Sequence, residues 1–130
     1  MVIKGNEYLS PQEAYALLSD DAILVDLRDD SYKNGREFDV KNVIPIFYRN
    51  LETDYMSLPR DKKLILADYV GLRSKEAMLF LKNRGFDNVA SLIGGVVNWE
   101  QEGLPLKIDH GEELVGSCAC QLKPRKRVKI

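Results

Sequence analysis

Cysteine and histidine are nearly missing from this chain: of 130 residues, two are cysteine and one is histidine. The cysteines, Cys118 and Cys120, are separated by a single alanine. Neighbours this close in an extended segment point to opposite sides, so a disulfide scaffold within one chain is excluded. In a reducing compartment both are expected as free thiols. Also missing is any apolar run near the roughly 20 residues that cross a bilayer, so no membrane span is expected. The opening MVIKGNEYLS has no basic stretch leading into an apolar one. No secretory leader is expected from it, and the default location is cytoplasmic. An excess of charge is lacking too. Nineteen Lys and Arg stand against twenty Asp and Glu, for a net charge of −1, which makes no case for nucleic acid or an anionic membrane. Internal repeats and low-complexity tracts are absent.

What remains is ordinary for a soluble globular protein, at 45% hydrophobic and 30% charged residues. The length suits one domain with a core and is too short for two. After a short extended lead-in at 7–9, Ser10-Pro11-Gln12-Glu13 announces a helix. Ser10 suits the N-cap, Pro11 the first helical position, and Glu13 completes a capping box. Ala14, Leu17 and Leu18 give the helix its apolar face. Residues 22–27 (AILVDL) and 63–67 (KLILA) are short, almost continuous apolar runs, the mark of strands buried on both faces of a parallel sheet. Residues 28–42 read as polar and irregular, with a turn at Asn34-Gly35. Residues 43–47 read as a strand that Pro45 confines to an edge or ends early, and 48–55 as a helix. A tight polar turn over 68–73 leads into a helix over 74–84, stopped by Gly85. Residues 89–92 form a strand, Gly94-Gly95 a turn, and 96–102 a last helix closed by Gly103. Alternating short strands and helices mean an α/β domain. Its end is expected near Leu106, so that residues 1–106 form the domain and 107–130 a basic, cysteine-containing tail.

Three separated stretches carry a family resemblance. Leu24-Val25-Asp26-Leu27-Arg28 is similar to a strand ending in D-x-R. Asp68-Tyr69-Val70-Gly71-Leu72-Arg73-Ser74 resembles an active-site loop C-x-x-G-x-R-S between a strand and a helix. Gly94-Gly95-Val96-Val97-Asn98-Trp99, with Gly103-Leu104-Pro105, is similar to a G-G-x-x-x-W…G-x-P ending. In this order and spacing they resemble the rhodanese (sulfurtransferase) superfamily over residues 7–106. The resemblance implies a five-stranded parallel sheet flanked by helices on both faces. It also implies that sulfur would be carried as a persulfide on a cysteine at position 68, where this chain has Asp68. Residues 35–46 are a degraded version of the family's G-H-I-x-G-A-x-x-I-P stretch.

The loop is otherwise an anion cradle. Gly71 lets the backbone curl so that successive N–H groups point inward, the helix opening at Ser74 adds its positive end, and Arg73 is expected to close the ring with its guanidinium. A carboxylate oxygen is hard and cannot carry persulfide sulfur, and its charge fills the place of a bound anion. A catalytically silent module that binds a protein partner through residues 68–74 is therefore the first reading. Asp68 as a hydrolytic nucleophile would need a metal or a second carboxylate, and the loop supplies neither. Four residues separate Asp68 from Arg73, as in the sulfurtransferases; the related phosphatases have one more. The bland alternative is a structural turn held by an internal Asp68–Arg73 salt link. Asp26 and Arg28 read as a buried or half-buried pair bracing the loop edge, and Trp99 as a core or rim aromatic.

The tail offers a second reading. Cys118 and Cys120 are two close thiols among Lys123, Arg125, Lys126, Arg127 and Lys129, able to exchange disulfides, hold a persulfide or take a soft metal ion. With His110 they make at most three ligands, which matches no closed zinc site, so neither metal nor cofactor is expected. The basic run reads as a solvated tail, without the interleaved aromatics that would stack on bases.

Overall fold

The computed structural model describes residues 1–29 and 35–108. The expected turn at Asn34, the lone His110, both cysteines and the basic run lie outside the described residues.

The capping box forms as the sequence indicates. Ser10 Oγ accepts the Glu13 N–H at 3.1 Å, the Ser10 N–H reaches Glu13 Oε1 at 2.9 Å, and Pro11 opens helix α1, Pro11–Leu18. Before it, β1 (Val2–Ile3) and β2 (Asn6–Leu9) form a hairpin. The apolar runs become β3 (Ile23–Asp26), β6 (Leu64–Ala67) and β7 (Val89–Leu92). Between β3 and β6 come β4 (Arg36–Phe38), β5 (Val43–Pro45) and a short helix α2 (Leu51–Asp54). Helices α3 (Leu72–Lys82) and α4 (Gly95–Gln101) follow β6 and β7, and β8 is Leu106–Ile108.

The main sheet has the order β1-β2-β7-β6-β3-β5. Five of its strands, β2 to β5 in that order, run parallel, and β1 joins antiparallel at one edge. The five-stranded parallel sheet is as expected; the sixth strand is an addition. Pro45 sits where a missing N–H costs least, at the end of edge strand β5.

Side chains alternate across the strands and split the core in two. Leu24, Ile65, Ala67, Ala90 and Leu92 pack with Ala14 and Leu18 of α1 and with Val96 and Trp99 of α4. Val25, Leu64, Leu66 and Val89 pack with Leu51 of α2 and with Ala77, Met78 and Leu81 of α3. Helices thus cover both faces. Trp99 is fully buried, donates its indole N–H to the Pro105 carbonyl at 2.8 Å, and meets Tyr15 and Phe38 edge-on.

Three expectations need correction. Residues 28–42 are not wholly irregular, because Arg36–Phe38 pairs antiparallel with Leu106–Ile108 in a separate two-stranded ribbon. The helix expected over 48–55 is broken into a 3₁₀ turn, the single turn α2, and a second 3₁₀ turn, Tyr55–Ser57. Helix α3 begins two residues early, at Leu72, because Gly71 takes a left-handed φ of 98° as its N-cap.

Candidate functional site

The carboxyl ends of the parallel strands open onto one side of the sheet, where open α/β folds place their sites. Asp68 is the first residue beyond β6 and is 5% exposed. Its carboxylate folds back onto the turn it starts. Oδ1 accepts the Gly71 N–H at 2.5 Å and Oδ2 accepts the Arg73 N–H at 2.6 Å. The backbone groups expected to cradle an anion therefore hold this chain's own carboxylate.

The Gly94-Gly95 turn explains how the loop is held in place. At the start of α4, the Val96 N–H reaches the Asp68 carbonyl at 2.9 Å and the Val97 N–H reaches that of Tyr69 at 3.2 Å. A Cβ on Gly95 would lie 2.5 Å from the backbone of Asp68 and Tyr69, so only glycine permits that approach. From beneath, the buried Ser74 hydroxyl pairs with Ser91 Oγ at 2.7 Å and lies 3.3 Å from the Gly71 carbonyl. Ser91, on β7, is a supporting residue that sequence reasoning missed.

Arg73 departs from expectation. Its guanidinium does not close the ring over Asp68, and the two side chains form no salt link. Instead it lies over the Tyr48 ring, 4.6 Å from the centroid, and 3.4 Å from Glu76 Oε1. Only its backbone serves the cradle. The aromatic face and a carboxylate one turn along α3 both pull this cation outward.

Asp26 and Arg28 do form the expected brace. Arg28 Nε and Nη2 each donate to one Asp26 oxygen at 3.0 Å, both side chains being 1% exposed. The Arg28 guanidinium also lies 5.2 Å from the Phe38 ring centroid. Its Nη1 is buried and has no hydrogen-bond partner among the described residues. The pair fixes the chain where it leaves β3, beside the turn at β6.

Between these groups lies a cavity of about 370 Å³, lined by Arg28, Asp29, Tyr48, Arg49, Asp68, Tyr69 and Arg73 among others. Tyr48 and Arg49 were not anticipated. Arg49 Nε donates to the Tyr48 hydroxyl at 3.2 Å. That hydrogen bond, aided by the charges of Arg49 and Arg73, draws the phenol below the usual tyrosine range; desolvation opposes it. The signal was available, since Tyr48-Arg49 follows the carboxyl end of β5, on the side where such sites lie.

Among the described residues no cluster of three or more His, Cys, Asp or Glu is placed to hold a metal ion. No helix among them is long and apolar enough to cross a membrane. Cys118 and Cys120 lie outside those residues, so the tail reading gains no geometry.

A family model for the rhodanese-like domain matches residues 10–102. The chain is 32% identical over 103 residues to thiosulfate sulfurtransferase GlpE of Haemophilus influenzae strain PittEE, covering 75% of this chain and 91% of that protein. It is 29% identical over 105 residues to GlpE of Actinobacillus succinogenes, covering 79% and 92% respectively. The fold is similar to that of a rhodanese-related protein from Thermoplasma volcanium, with a TM-score of 0.69, 24% identity, and coverage of 79% of this chain and 99% of the other.

Proposed function

This chain belongs to the rhodanese-like domain family, and from that membership we propose that it is a catalytically silent member that acts by binding another protein. The observation that carries the proposal is the carboxylate of Asp68, buried at the strand-to-helix turn and held by the N–H groups of Gly71 and Arg73. Sulfur transfer by the route the resemblance implies requires a soft thiolate at that point. A carboxylate cannot form the persulfide. It also neutralises the cradle that would otherwise draw a thiosulfate anion.

Hydrolysis at Asp68 finds no support in the site. Both carboxylate oxygens already accept backbone N–H groups. A nucleophile must be free to attack, and this one is committed to holding its own loop. The same reading places the protein in the cytoplasm, with a protein rather than a nucleic acid as its partner. The loop over residues 68–74 forms the recognition surface.

The test is turnover. Purified protein, supplied with thiosulfate or mercaptopyruvate as donor and cyanide or a thiol as acceptor, is expected to show none above the blank. Turnover that persists after Cys118→Ser and Cys120→Ser together would end the proposal.

A further inference from the structure

The Asp68 loop has two sides, and its residues divide between them. Asp68, Tyr69 and Arg73 line the polar cavity. Val70, Gly71 and Leu72 line a second cleft of about 350 Å³, completed by Ile3, Tyr8, Lys75 and Ile93 among others. This cleft is walled by apolar side chains left in water: Val70 is 51% exposed, Leu72 65%, Ile3 47% and Ile93 37%. Scattered exposed apolar residues are normal, but a contiguous group around one cleft marks an interaction surface. The turn itself needs no apolar side chain at 70 or 72, since Gly71 and the backbone make it.

Two further observations define the occupant. The first is charge. The Met1 α-ammonium, which donates to the Tyr8 carbonyl at 2.9 Å, and Lys75 are the cations in the cleft wall, and the Lys75 ammonium has no carboxylate partner among the described residues. An acidic group on the ligand would supply one. The second is backbone. β1 is the outer strand of the sheet, and the Tyr8 N–H bonds the Met1 carbonyl at 2.7 Å. By antiparallel alternation Val2, opposite Glu7, turns its own N–H and C=O toward the open edge. Among the described residues nothing pairs with this donor and acceptor, and such an edge, on the strand whose Ile3 lines the cleft, suits a strand, which an acidic amphiphile without a peptide backbone could not match.

We propose that this cleft docks an extended segment of another protein, apolar at its centre and acidic at its flank, paired with the outer edge of β1 and reaching over Ile3 toward Val70 and Leu72. The inference rests on the reading of the chain as a binding module and names the chemistry of its partner.

The probe is a capped peptide with a Val-Thr-Val-Thr-Ile core flanked by glutamates, titrated into the full, ¹⁵N-labelled chain. A second peptide carries lysine in place of each glutamate. Amide shifts at Ile3, Val70, Leu72 and Lys75 with the acidic peptide, and weaker binding of the basic one, are expected. Leu72→Ser should weaken binding about tenfold or more, from the apolar burial it removes. Lys75→Glu should reverse the preference between the peptides. The proposal is overturned if the peptides bind alike, or if shifts fall around Tyr48 and Arg49 instead. It is equally overturned if Leu72→Ser has no effect, or if the cleft resonances move on dilution of the protein alone, which would make a second copy the occupant. Sulfur turnover in the same samples would sink the silent reading and leave the cleft standing, so the two failures are distinguishable.

Discussion

Replacing Asp68 with alanine removes the acceptor of two backbone N–H groups at once. Gly71 is buried, so its N–H is left without water, whereas Arg73 is exposed and its N–H can partly rehydrate. A buried donor left unpaired costs about 1–3 kcal/mol, and bonds to a charged acceptor lie at the upper end of the net range. The sum is a loss of roughly 2–4 kcal/mol for Asp68→Ala. Asp68→Asn keeps one carbonyl acceptor and should cost about half as much. Urea unfolding of the three proteins, compared at equal slope, measures both. The emptied cradle supplies a second readout. With the carboxylate gone, the Gly71 and Arg73 N–H groups should donate to a sulfate ion, stabilising the alanine variant by about 1.4 kcal/mol at ten times its dissociation constant. Thermal unfolding with and without sulfate should therefore separate the variant from the wild type. If Asp68→Ala lies within about 0.5 kcal/mol of wild type, or if sulfate raises both midpoints equally, the self-occupied cradle is wrong.

Gly95→Ala should cost roughly 2–4 kcal/mol, because its Cβ meets the backbone of Asp68 and Tyr69 at 2.5 Å and the residue has a φ of 60°; an unchanged urea midpoint would refute that packing. Ser10→Ala should cost about 1 kcal/mol through loss of the α1 cap. Its partner Glu13 has a lowered pKa, from the Ser10 backbone hydrogen bond first and the Ser10 side chain second. The capping contribution should thus be complete above the unfolded carboxyl's pKa and fade as pH falls through the folded value, a loss that Ser10→Ala should reduce but not abolish, because the backbone N–H at position 10 remains. Tyr48 should titrate below a free tyrosine, and Arg49→Ala should move it back up; ultraviolet titration of the two proteins, with Tyr48→Phe to assign the signal, checks this. Because that phenol's pKa is lowered, its linkage to stability lies at alkaline pH, present above the unfolded value and lost as pH falls through the folded one.

Much of this architecture can be read from the chain because its local signals agree. The runs at 22–27 and 63–67 are apolar on both sides of the pleat, which only a doubly covered strand requires, and Ser10-Pro11-Gln12-Glu13 specifies its cap residue by residue. What escaped the sequence depends on contacts between distant segments. Arg36-Glu37-Phe38 has neither an apolar run nor a strand-forming composition, and becomes β4 only because Leu106–Ile108 lies beside it. The cradle is legible in Gly71 and Asp68, but the direction of the Arg73 side chain is not. That direction is set by Tyr48, from a segment before β6, and by Glu76 on α3. Ser91 reads as one more strand residue until Ser74 is seen against it.

A single sulfur atom tests the central claim most directly. Asp68→Cys, made in a chain with Cys118→Ser and Cys120→Ser, is incubated with thiosulfate and weighed by intact-mass spectrometry beside the same chain retaining Asp68. One added sulfur on the new cysteine, and none on the Asp68 protein, is the expected result. A folded Asp68→Cys chain that takes up no sulfur, or an Asp68 chain that does, would contradict it.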